Sequence, residues 1–117
     1  MKEKEKQSFI ESPLREIPME LPALTRASKV LKKQDKLYQD VPANKESVHL
    51  LKENIFELES LLEKDETDKE KLENCFADIL LNLSNIAMKN KIAQEQLLVD
   101  KIEEIIEKYE PKNGKLP

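Results

Sequence analysis

The chain is predicted to fold as an all-α domain, an antiparallel four-helix bundle, and three observations support that. Leu, Ile, Glu and Lys dominate, with one glycine, 4% aromatics and few of the β-branched residues that favour strands. Apolar residues recur at spacings of three and four along the runs after residue 44. The connections between runs are short, which makes neighbouring helices antiparallel. At 117 residues the chain is one domain at most, able to bury about two-thirds of its unfolded surface.

The elements follow in order. Residues 1–20 carry Pro13 and Pro18 among polar residues and are expected to form an irregular arm. The domain proper is expected over 21–110, with a tail at 111–117. "ELPALTRASKVLKKQDK" supplies a first helix over 21–35, Pro22 sitting in the first turn where its missing N–H is harmless. "LYQDVPA" ends it, because Pro42 pushes Val41 out of the helical region. A second helix is expected over 44–64 on the stripe Val48, Leu51, Ile55, Leu58 and Leu62. Thr67 and Glu70 match a capping box for a third helix over 68–89, with Leu72, Phe76, Ile79, Leu83 and Ile86 as its stripe. A fourth over 94–109 uses Leu97, Leu98, Ile102, Ile105 and Ile106, and Pro111 stops it.

Composition also bounds function. A net charge of -4 argues against nucleic acid as a partner, since such binders normally show a basic face. The single Cys75 excludes an internal disulfide. No apolar run is long enough to span a membrane, and "MKEKEKQ" lacks the apolar core of a signal peptide, so a cytoplasmic location is expected. Leu50, Phe56, Leu61, Leu80 and Leu81 lie off the main stripes, which predicts a homo-oligomer, a dimer or higher.

The second and third helices place a polar cluster inside their hairpin. Glu57 lies seven residues before Lys64 and Cys75 seven after Asp68, while Asn54 and Asp78 each lie ten away. At about 1.5 Å per residue each pair sits at one height, and the i, i+3 spacing gives each pair one face. Two carboxylates held together repel unless a cation compensates. Oxygen ligands suit Mg²⁺ or Mn²⁺, which typically serve phosphates. Taken alone, the same charges read equally as a solvated helix face.

The stretches "LPALTRASKVLKK", "KENIFEL", "FADILLNLSNIA" and "IAQEQLLVDKIEEIIEKYE" resemble the MazG family of nucleoside triphosphate pyrophosphohydrolases, over about residues 17–110. Leu21, Pro22, Ala23, Leu24, Arg26, Ala27, Lys29, Lys32 and Lys33 follow the family's first-helix pattern; Asp78, Leu80, Asn85 and Ala87 follow its third. The resemblance implies Mg-dependent hydrolysis of a nucleoside triphosphate to monophosphate and pyrophosphate. It implies Glu57 and Asp78 as metal ligands, Glu53 and Glu57 as catalytic carboxylates, and Lys29, Lys33 and Asn85 as substrate contacts. The family's metal motif, EExxE followed by ExxD, is incomplete here. Asn54 stands for its second acid and Cys75 for the leading glutamate of ExxD, while on the last helix Ile102 and Glu104 replace an asparagine and a lysine of the stretch that falls on Ile102, Glu103, Glu104 and Ile105. Weak activity, nucleotide binding without cleavage, and a helical dimerisation module are the three expectations this leaves.

Other candidates are thinner. His49 sits one turn before Glu53, but a lone helical histidine is more often a plain surface residue, and Cys75 with His49 lacks paired zinc spacing. Lys29, Lys32 and Lys33 suit phosphates, and equally suit the negative end of the first helix.

Overall fold

A computed structural model of the chain describes residues 12–111. Among the described residues there are four α-helices, one short 3-10 turn at Pro13–Glu16, and no strand. The helices are α1 (Ala23–Tyr38), α2 (Asn44–Glu63), α3 (Lys69–Lys89) and α4 (Gln94–Lys108). The arm's residues 1–11 and the tail's 112–117 lie outside the described residues. No described helix is long and apolar enough to cross a membrane.

Helix ends follow local chemistry, with three corrections. Pro22 is the residue before α1, not part of its first turn, and the helix runs on past Asp35 through Leu37 and Tyr38. It stops where Gln39 turns left-handed at φ 53° and donates its N–H to the Asp35 carbonyl, so the break comes from Gln39 and not from Pro42. A first-turn donor of α1 is satisfied from afar: Leu24 N–H donates to Glu95 Oε1 at 3.2 Å. The cap of α3 is Asp68, which accepts from Lys71 N–H at 3.2 Å. Thr67, expected to cap, instead donates its hydroxyl to the Leu61 carbonyl at 3.3 Å and closes the end of α2. At the end of α3, Lys91 is left-handed at φ 56° and Ile92 N–H reaches back to the Ala87 carbonyl at 2.8 Å, a Schellman-type stop.

α2 and α3 pack along their length as an antiparallel hairpin, α1 lies on α3, and α4 meets α1. Bonds between Asn90 and Asn44 at one end and Cys75 and Asn54 towards the other fix the antiparallel sense. α1 and α4 are joined by Gln94, whose amide donates to the Leu24 carbonyl and to the hydroxyls of Ser28 and Ser84 at 3.0–3.1 Å. Beyond that junction α4 is exposed from Gln96 to its end.

The core is small, made of Leu31, Val41, Leu61, Cys75 and Ala87, with Ser47, Asn82, Ser84 and Asn85 buried among them. This corrects the expected packing faces. Val48, Ile55 and Leu62 of α2 and Phe76 and Leu83 of α3 stand exposed, although their spacing marked them as core. Leu61, which lay off the stripe, is buried to 4% exposure. Between the two helices, Cys75 and Asn82 of α3, seven residues apart, both bond Asn54 of α2, and Ser47 lies buried seven residues before Asn54.

Candidate functional site in the hairpin

Cys75 is the centre of the predicted cluster. Its side chain is 2% exposed, and its Sγ donates to the Asn54 backbone carbonyl at 3.2 Å. Burial pushes the thiol pKa up, and the Glu57 charge, a hydrogen bond to Glu57 and the Asp78 charge push it further the same way. The thiol donates to one acceptor, the Asn54 carbonyl. At neutral pH it stays a neutral thiol, neither a nucleophile nor a thiolate ligand. Glu57 on α2 and Asp78, three residues after Cys75 on α3, are both exposed.

Asn54 is half-buried and fully engaged in the seam. Its Oδ1 accepts from Asn82 Nδ2 at 2.8 Å, while its carbonyl takes the Cys75 thiol. Glu53 sits apart, exposed, with its carboxylate 3.5 Å from His49 Nε2 one turn earlier. Asn85 is buried and its Oδ1 has no partner among the described residues; the hydroxyl of Ser47 and Nε of Arg26 share that condition. Lys33 is engaged by Glu16 of the 3-10 turn, whereas Lys29 is exposed and lines clefts beside α1. Glu104 pairs with Lys101 at 3.6 Å on the outer face of α4.

The structure joins Asn54 to Cys75 and to Asn82 by hydrogen bonds across the hairpin, while Glu53, Glu57, Asp78 and Lys29 stand exposed and Lys33 is paired with Glu16. Asn82, Ser84 and Gln94 were not singled out from the sequence. Asn82 carried a signal all the same, since Cys75, Asp78, Asn82 and Asn85 repeat at spacings of three and four.

Among the described residues, no three His, Cys, Asp or Glu side chains group so as to hold a metal ion. The donor set agrees with that. A protonated thiol does not suit a hard cation, and one oxygen of Asn54 is already bonded to Asn82. Glu57 and Asp78 remain, two exposed carboxylates, one on each helix of the hairpin. They do not fit a cradle of several ions.

No family model matches the chain, and neither does any curated protein or solved structure.

Proposed function

We propose that the chain is a MazG-related helical protein in which the metal cradle of a nucleoside triphosphate pyrophosphohydrolase is reduced to two carboxylates, leaving its activity weak or lost. The observation that carries this reading is the bond from the Cys75 thiol to the Asn54 carbonyl at 3.2 Å, which brings together across the hairpin the two positions where the family pattern has acids. In the active form of such a site, a bound Mg²⁺ neutralises phosphate charge. The protein's part is to hold that ion between Glu57 and Asp78 and to orient the attacking water through Glu57 or Glu53. Replacing two acids by Asn54 and Cys75 removes about half the negative charge that holds the ion. Glu104 adds repulsion where a triphosphate needs a cation.

The test is pyrophosphate release from a panel of nucleoside triphosphates with Mg²⁺ or Mn²⁺. It compares the natural protein, an Asp78→Ala variant and an Asn54→Glu, Cys75→Glu double variant, each checked for helicity. Turnover that rises in the double variant and vanishes with Asp78→Ala supports the reading. No turnover by any variant and no metal-dependent thermal shift rejects it.

A second reading, a helical self-association module, is favoured by a separate observation. Leu97, Leu98, Ile102, Ile105 and Ile106 of α4 and Phe56, Phe76 and Leu80 of the hairpin are all exposed. Apolar surface on that scale marks an interaction site more often than a free monomer face.

A further inference from the structure

The bonds of Gln94 to Leu24, Ser28 and Ser84 hold the start of α4 on the α1 side of the molecule. Packing joins α2 to α3, α1 to α3 and α4 to α1, so α4 packs on α1 and not on α2. Each of these two helices carries an apolar face that no other described element covers. On α4, Leu98, Ile102, Ile105 and Tyr109 recur at spacings of four and three; on α2, Val48, Ile55 and Leu62 recur at seven. All of these side chains are 42–64% exposed.

The charges along the two faces are complementary. On α4, Lys101 and Lys108 border the apolar face on one side, and Glu103 and Glu110 border it on the other. On α2, Asn54 marks the side that meets α3, and Lys45 and Lys52 follow the free side of the stripe. With His49 they line a hollow of about 450 Å³ that Val48 shares. Lys45, Lys52, Glu103 and Glu110 have no ion-pair partner among the described residues. Seen from each helix's N-terminus, the two lysines of α2 and the two glutamates of α4 lie on the same rotational side of their stripes. Antiparallel helices bring like sides together, and parallel helices bring opposite sides together. Laid antiparallel, α4 therefore sets acid against base on α2, whereas the parallel arrangement sets lysine against lysine.

We infer that the chain forms a two-fold dimer in which α4 of each copy lies antiparallel on α2 of the other. The inference rests on the self-association reading above and names the surfaces that meet. Lys45 and Lys52 are seven residues apart, as are Glu103 and Glu110, so placing Lys52 opposite Glu103 of the second copy also places Lys45 opposite its Glu110. The same register sets Ile55 between Leu98 and Ile102 of the second copy, and Val48 between its Ile105 and Tyr109. Both faces occur on every chain, so two such contacts close the pair and leave neither face bare. Together they remove on the order of 1,600 Å² from water, the size of a standard stable interface.

The experiment is sedimentation equilibrium at micromolar concentration and low ionic strength, where exposed charges are least screened. It compares the natural protein, a Lys45→Glu, Lys52→Glu variant, a Glu103→Lys, Glu110→Lys variant, and an equimolar mixture of the two variants. Each variant alone is expected to weaken dimerisation at least tenfold. The mixture is expected to restore it, because both contacts of the mixed dimer again join opposite charges. All four side chains are exposed, and an acid in the first turn of α2 or a base after the last turn of α4 suits the helix dipole. Helicity is therefore unchanged, and loss of the dimer is not loss of fold. A dimer that ignores one of the variants, as α4 on α4 or α2 on α2 would, overturns the inference and leaves self-association standing. So does a mixture that stays monomeric when each variant alone is monomeric. A natural protein that sediments as a monomer overturns both and gives the two faces to a different protein.

Discussion

Asn54 and Asn82 face each other across the hairpin, Nδ2 of one 2.8 Å from Oδ1 of the other, in the seam where an apolar contact would ordinarily sit. Buried amides are expensive unless bonded, so the pair constrains how α2 may slide along α3. Replacing one partner by leucine is expected to cost about 1–3 kcal/mol, because the other amide is left unsatisfied. Replacing both is expected to cost less than the two singles together. Urea unfolding of the double-mutant cycle measures the coupling, and strict additivity would remove the pair's structural role.

Ser47 is a different case, since its hydroxyl is buried with no described partner. Removing an unsatisfied buried polar group, and gaining the better helix former, should stabilise the protein. Ser47→Ala is expected to gain about 1 kcal/mol and raise Tm by roughly 4–8 °C. A fall in Tm by differential scanning calorimetry would mean the hydroxyl is bonded after all.

The raised thiol of Cys75 fixes a pH dependence. Because the folded protein holds that proton more tightly than the unfolded chain, whose cysteine titrates near 8.5, its contribution is complete below about pH 8.5 and falls away as the pH rises through the folded value. Stability measured between pH 7 and 10 should therefore decline more steeply for the natural protein than for Cys75→Ala. Parallel curves would show that the thiol titrates normally. The same burial predicts slow native-state labelling by thiol reagents, released by denaturant.

The exposed faces of α4 and the hairpin predict a mass above that of a monomer at micromolar concentration in sedimentation analysis. An Ile102→Lys, Ile105→Lys variant places two charges on the bare face of α4 and is expected to sediment lighter with its helicity retained. A natural protein that sediments as a 13.6 kDa monomer would leave those residues without an explanation.

The four helices were legible because their apolar spacing, prolines and polar breaks all agree. All four starts fall within two residues of the expected ones, the largest difference being α1, which begins at Ala23 after Leu21 and Pro22. What could not be read was which face of each helix is covered. The regular stripe through Val48, Ile55 and Leu62 looks like a core face, but spacing reports amphipathicity and not the partner that satisfies it. The chain's own packing uses the less conspicuous Ser47, Asn54 and Leu61. Counting outward from the hairpin turn set Asn54, Glu57, Cys75 and Asp78 near one another, and of these Asn54 and Cys75 share a hydrogen bond. The isolation of Glu53 was not legible, because its place is set by its i, i+4 pairing with His49 and by the side of the helix it occupies.

The turn between α2 and α3 leaves every residue from Leu62 to Lys71 exposed, with Asp65 and Glu66 at its tip. Such tips tolerate breakage of the chain. Two halves divided there would still share the Asn54–Asn82, Asn54–Cys75 and Asn44–Asn90 bonds, so the break falls outside the contacts that hold α2 against α3.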